Sequence, residues 1–271
     1  MLSAPSQSTQ PPGSPPARTP APTTLPSLEG LDLRCHYHSA RTGGDFFDAL
    51  LLGPHVVFLL TDIAGSRDSA HTIASATQDT FRHRAPQLFG TPGANLTNAI
   101  SILAHDVNQT LTTACPGVCF SPTFLGCYDL NLGVLTYINA GGQPAIFSDS
   151  DGTRILTHAC MPLGLFALLT YEPAFQAFEP GARLLLLTKG VIEVGSSSRL
   201  PLSPDRFAHF LDDHLRKNPR SSAHDLCTAV LDQANQYART SWQSLRNLLF
   251  RKSERIDDRT AVVLARPFRA T

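Results

Sequence analysis

Five aspartates fall where apolar runs begin or end beside small residues, and their chemistry is the first thing the chain offers. Asp45 follows Gly43-Gly44, with Asp48 three residues on; Asp62 closes "VVFLLTD" three residues ahead of Gly65; Asp257 and Asp258 precede "RTAVVLAR". Carboxylates carried at strand ends from distant parts of a chain are how an all-oxygen site for a hard divalent cation is assembled. Two such ions bridging a water lower its pKa and aim hydroxide at a phosphoryl group. Any one of these aspartates alone is ordinarily a turn or capping residue, so the set carries more than its members. Arg41 and Arg67 offer paired N–H donors suited to a phosphate, although an arginine in such a place is more commonly an exposed ion-pair partner. The run "LLLLTKGVIE" reads as a buried strand ended by Thr188 and turned at Gly190, with Lys189 at its tip, where such a strand usually presents a carboxylate. His36, His38, His55 and His71 have no metal-ligand spacing and read as surface or edge residues.

These residues need elements to position them. "LDLRCHYHSA" alternates as a half-buried strand with Leu31, Leu33, Cys35 and Tyr37 on one face. "GGDFFDALLLG" and "HVVFLLTDIAG" predict two strands joined at Gly53-Pro54. Residues 67–84 predict a helix. A second helix starts at Asn95, with Leu96, Ile100, Leu103, Val107 and Leu111 at helical spacing. "TFLGCYDLNLGVLTYINAGG" gives two strands about Asn131-Leu132-Gly133, and "AIFSDSDGTRIL" a hairpin about Asp151-Gly152. "YEPAFQAFEPGARLLLLTKG" adds two strands, residues 204–217 and about 222–250 two helices, and "RTAVVLARP" a last strand. Hairpin-linked strands with paired helices, without regular βαβ alternation, predict an α+β domain.

Composition narrows the function classes. With 22 basic and 22 acidic residues, no global field points to nucleic acid or anionic lipid. The six cysteines lack a second Cys or His pair at zinc-ligand spacing and read as reduced thiols. No signal-peptide pattern is present, and no apolar run approaches the ~20 residues of a membrane-spanning helix, which predicts a cytoplasmic protein with no membrane insertion. Residues 1–26 hold eight prolines and few large apolar side chains, so they predict a disordered, partly polyproline tail ahead of a domain at 27–268. No internal repeat is found.

In chain order, "LPSLEGLDLRCHYHSARTGGDFFDALLL", "VFLLTDIAG", "TFLGCYDLNLGVLTYINAGGQPAIF", "MPLGLF", "FEPGARLLLLTKGVIE" and "DDRTAVVLAR" together resemble the PPM-type (protein phosphatase 2C-like) metal-dependent phosphatases, in their bacterial SpoIIE-like branch. The resemblance spans about residues 26–268. It implies an α-β-β-α sandwich of two mostly antiparallel sheets flanked by antiparallel helices. It implies one or two Mn²⁺ or Mg²⁺ ions and hydrolysis of phosphoserine or phosphothreonine, commonly on anti-anti-sigma-factor-type domains. Position by position, Asp45 matches the acid of the family's Gly-Gly-Asp segment, and Asp62 the acid that bridges the metals. Ile63 matches the residue that offers its backbone carbonyl, Asp257 the acid of the closing pair, and Asp258 a neighbour that orients the site.

Three departures follow. Gly65-Ser66-Arg67 stands for the family's Gly-His-Gly or Gly-Lys-Gly, and Ala140-Gly141-Gly142 for Ala-Gly-His. Thr188-Lys189-Gly190 stands for Thr-Asp-Gly. At about 4 Å and an effective dielectric near 20, each unit charge pair is worth roughly 4 kcal/mol, so exchanging an acid for a lysine predicts a weak or lost second metal. Lys189 either takes that ion's place and contacts phosphate, or is a solvated side chain on a degenerate site. The enzyme reading is a phosphoprotein phosphatase with an altered second site; the alternative is a pseudophosphatase that binds a phospho-regulated partner.

Overall fold

The computed structural model describes residues 19–25, 28–38, 44–64, 67–114, 120–193, 203–245 and 258–268, with backbone alone for 67–68 and 238–245. Arg41, Gly65 and Asp257 lie outside the described residues, as does the side chain of Arg67.

Among the described residues, ten strands form two five-stranded sheets in which every neighbouring pair is antiparallel. One sheet has the order β1 (Asp32–His38), β10 (Arg259–Ala265), β9 (Arg183–Leu187), β6 (Ala145–Asp149), β7 (Gly152–Ile155). The other has β2 (Asp45–Leu52), β3 (His55–Asp62), β4 (Thr123–Asp129), β5 (Val134–Ala140), β8 (Ala174–Ala177). Helices α1 (Arg67–Phe89) and α2 (Leu96–Ala114) cover the outer face of the second sheet. The outer face of the first carries the short α3 (Lys189–Ile192) with α4 (Pro204–Lys217) and α5 (Ala223–Leu245). This is the α-β-β-α sandwich. No helix among the described residues is long and apolar enough to cross a membrane.

The packing follows from period-2 alternation. Between the sheets lie Leu33, Phe47, Ala49, Phe58, Leu60, Leu184, Leu186, Val262 and Leu264, all buried. The intervening Phe46, Val57 and Leu59 face α1 and α2, while Leu185, Leu187 and Val263 face α3 to α5. Burying each such side chain stabilises by about 1.5–3 kcal/mol, and a one-residue slip would turn a whole strand's set the wrong way, so the register is tightly specified.

Some boundaries differ from the sequence expectation. Helix α1 runs to Phe89 instead of 84: it carries Pro86, which has no N–H to donate, within its last turns and closes with Gly90 N donating to Pro86 O at 3.0 Å. The turn at Gly190 is the first turn of α3. His55 is nearly buried, with Nδ1 3.2 Å from Phe89 O and Nε2 3.6 Å from Asp129. The largest difference is at the N-terminus. Residues 19–25, within the segment predicted to be a solvated tail, lie against β2 and α1: Gln78 and Arg82 of α1 satisfy backbone groups of Ala21 and Pro22, and the Thr23 hydroxyl donates to Phe47 O of β2.

Candidate active site

The strands that build the inter-sheet core all end at one edge of the sandwich, and there the inward series turns polar. On β2, Ala49 and Phe47 lead to Asp45; on β3, Phe58 and Leu60 lead to Asp62; on β1, Leu33 and Cys35 lead to Tyr37. On β9, Leu184 and Leu186 lead to Thr188; on β10, Leu264 and Val262 lead to Thr260 and then Asp258. The site is the polar end of the apolar core.

Asp45 and Asp62 are directly opposed across β2 and β3. The pairing continues past the strands: Ile63 N donates to Gly44 O at 2.9 Å, and Asp62 N to Pro122 O at 2.9 Å. Gly44 is the close-approach residue. A Cβ there would stand 2.6 Å from the Ile63 carbonyl oxygen, so only glycine leaves that oxygen open. Asp45 Oδ2 accepts from the Thr188 hydroxyl at 2.6 Å and the Thr260 hydroxyl at 2.7 Å. Thr188 Oγ1 in turn accepts from Thr260 N at 3.0 Å. Burial pushes the Asp45 carboxyl well above the usual carboxylate range, and the neighbouring charges of Asp62 and then Asp258 push the same way against the two threonine hydroxyls. Asp258, almost fully buried, accepts from Tyr37 OH at 2.5 Å and from Gly44 N at 3.0 Å through the same Oδ2. It thereby anchors the residue just ahead of Asp45.

Lys189 stands apart from this group. Thr188 occupies the N-cap position of α3 without capping it, because its hydroxyl is turned onto Asp45. One residue later the chain points outward: the Lys189 side chain is 57% exposed, with Nζ 3.5 Å from Glu193 Oε1. An exposed i,i+4 pair of this kind contributes about 0.3–0.5 kcal/mol. Gly190 is buried behind it with Val191.

Of the residues singled out from sequence, the structure brings together Asp45, Asp62, Ile63 and Asp258, and turns Lys189 away. Among the described residues, no three His, Cys, Asp or Glu side chains gather as a metal cluster. The third carboxylate implied by the resemblance, Asp257, is outside them. Thr188, Tyr37 and Gly44 entered the sequence reading only as strand or turn residues without a site role, and Thr260 only within the last strand. The signal that finds them is the inward alternation of each strand carried one or two residues past its last apolar member. The donor set fits a hard divalent cation: two opposed carboxylates, a backbone carbonyl kept open by Gly44, and like charges whose crowding a cation relieves.

Beside this group lies a cavity of about 340 Å³. Its walls come from Tyr37 of β1, Gly44 and Asp45 at the start of β2, His71 of α1 and Thr260 of β10, and from Thr19 and Thr23 of the N-terminal segment.

Known proteins share both sequence and fold. Residues 53–267 match the family described as stage II sporulation protein E (SpoIIE). The chain is 33% identical over 98 residues to phosphoserine phosphatase RsbP of Bacillus subtilis, a match covering 36% of this chain and 22% of that protein. The crystal structure of the RsbU and RsbW domains of Rv1364c from Mycobacterium tuberculosis superposes with a TM-score of 0.66 at 22% identity, over 89% of this chain and 61% of that one. RsbX crystallised with magnesium gives a TM-score of 0.56 at 13% identity, over 86% and 95%. The chain thus spans less than two thirds of RsbP and of the mycobacterial protein. With most of its length matched and the α-β-β-α sandwich in place, the chain belongs to the SpoIIE family of PP2C-type phosphatases.

Proposed function

We propose that this chain hydrolyses phosphoserine or phosphothreonine in a partner protein. The observation that supports this best is the opposition of Asp45 and Asp62 at the polar end of the inter-sheet core, with Gly44 leaving Ile63 O open. Asp45, Asp62, the carbonyl of Ile63 and Asp257 are the residues that would hold Mn²⁺ or Mg²⁺, and magnesium is the ion named for the RsbX neighbour. A divalent ion bound there supplies an activated water and neutralises charge on the phosphoryl oxygens. The protein's own part is positional. Thr188 and Thr260 hold one Asp45 oxygen, leaving the other to act as a ligand. Asp258 fixes Gly44, and through it the approach to Ile63 and Asp62. Arg67 opens α1, just after the strand that ends in Asp62, and is the residue we assign to the substrate phosphate, with Arg41 as a second candidate.

RsbP is named a phosphoserine phosphatase, which supports a phosphoserine protein as substrate. An anti-anti-sigma-factor-type domain is the partner class we assign. The test is hydrolysis of a phosphoserine peptide and of an aryl phosphate with added Mn²⁺ or Mg²⁺. Turnover that depends on the ion and is lost in Asp62→Asn supports the assignment. No turnover with any divalent ion, together with no ion bound by calorimetry, removes it.

One observation favours a second reading, a pseudophosphatase that binds a phospho-regulated partner without turning it over. Lys189 replaces an acid of the family pattern and its ammonium is paired with Glu193, so the turn after β9 offers a hydroxyl but no carboxylate. Activity that appears only in Lys189→Asp would identify a degenerate site; activity lost in that variant would make the lysine a working part.

A further inference from the structure

The crevice between β2 and the middle of α1 is built to read an extended backbone, and it already has an occupant. Ala21, between Pro20 and Pro22, carries the one N–H of that tripeptide; it donates to Gln78 Oε1 at 2.7 Å, while Gln78 Nε2 returns a bond to Ala21 O at 2.9 Å. On the segment's side this two-point pairing uses backbone atoms only, while the Gln78 carboxamide takes the part of a neighbouring strand. One residue on, Pro22 O accepts from Arg82 at 3.3 Å. The Thr23 hydroxyl sits 2.9 Å from Phe47 O and 2.8 Å from Asp48 Oδ1. Asp48 is fully buried and is held by Arg82 through bonds of 2.7 and 3.1 Å and by Gln78 at 3.2 Å. A buried carboxylate, a guanidinium and a carboxamide thus form a fixed polar floor. Prolines on both sides of Ala21 restrict the segment before it binds, which lowers the entropy lost on seating.

The seated segment borders the cavity beside the candidate active site. Thr19, Pro20, Thr23 and Leu25 form one side of the cavity whose other walls include Asp45, Gly44 and Thr260. We propose that residues 19–25 are a strap that seats in cis on the Gln78–Asp48–Arg82 floor and covers the cavity beside Asp45. Its release opens that cavity to the phosphorylated segment of a protein substrate. The consequence for substrate rests on the phosphatase reading; the covering of the cavity does not.

The test keeps the full chain and changes the strap, so the folded core is untouched. Ala21→Pro removes the N–H that Gln78 receives, and Thr23→Val removes the hydroxyl on Asp48. Cys35 lines the same cavity and reports its opening without catalysis. With a small neutral thiol reagent and mass spectrometry, Cys35 in the double variant should label at least tenfold faster than in the parent chain, while the buried Cys127 and Cys227 keep their rates. In the same variant, KM for a phosphoserine protein should fall severalfold, with little change in turnover of an aryl phosphate. Unchanged labelling of Cys35 overturns the strap. Faster labelling with unchanged KM in an active enzyme overturns its control of substrate. If neither chain hydrolyses any phosphate ester, the phosphatase reading fails, and the labelling alone still decides whether the strap covers the cavity.

Discussion

Two ends of strands meet at the site, and they have been treated differently. At the β2–β3 end, two carboxylates and a backbone carbonyl are kept in register, with Asp45 opposite Asp62 and Gly44 clearing the approach to Ile63 O. At the end of β9, the turn keeps its threonine and glycine but carries Lys189 between them. Thr188 still serves Asp45, while the lysine leaves for solvent and Glu193. The comparison teaches that positioning and charge are separable. The turn orients the first carboxylate without supplying one of its own. Like charges gathered in a buried place destabilise the fold unless a cation joins them, and the β2–β3 end retains that cost while the β9 turn does not.

The most severe way to break the comparison is at its intact side. In Asp62→Asn, Mn²⁺ binding measured by calorimetry should weaken by roughly 1,000-fold, since a charge pair at about 4 Å is worth roughly 4 kcal/mol at an effective dielectric near 20, and ion-dependent hydrolysis should vanish with it. At the altered side the effect is smaller, because the Lys189 side chain is mostly in water. Lys189→Asp should strengthen Mn²⁺ binding by about tenfold, solvent and salt screening the rest. The shared element comes next. Thr188→Val removes a hydroxyl that both donates to Asp45 and accepts from Thr260 N, leaving a buried N–H unpaired. A loss of about 1–3 kcal/mol is expected from that, read as a fall in Tm, and hydrolysis should fall as well because Asp45 loses its orientation. The smallest effect has the opposite sign. Asp45→Asn relieves the opposition of two carboxylates across the strand pair and should raise the Tm of the metal-free protein, by roughly 1 kcal/mol or less, while abolishing ion binding. A metal-free Asp45→Asn protein less stable than the parent chain would mean that the two carboxylates do not repel as placed.

Much of the intact end was legible in the chain. Both apolar runs and their turn residues are plain in the sequence. With Gly53-Pro54 as a two-residue turn, pairing Leu52 with His55 carries Asp45 opposite Asp62 by simple counting. Gly53 takes φ +60, the positive value that such a hairpin asks of its first turn residue. The altered end was only half legible. Lys189 announces a changed charge, but nothing local says whether its side chain turns toward the acids or away from them. The segment of residues 19–25 departs from the expectation for a related reason. Its proline content and lack of large apolar side chains predict a solvated tail, and the groups that receive it, Gln78 and Asp48, lie 57 and 25 residues away from their partners.

By itself, then, the chain determined which residues alternate inward, where each strand stops, and that acids and glycines stand at those stops. These are consequences of short-range periodicity and turn chemistry. Only the tertiary structure decided that Tyr37 and Asp258, 221 residues apart, are hydrogen-bonded, that Thr188 and not Lys189 faces Asp45, and that Thr19, Pro20, Thr23 and Leu25 line the cavity beside Asp45. Those outcomes depend on which strands become neighbours and on which buried polar groups are left needing a partner, and neither is encoded within any one stretch of the sequence.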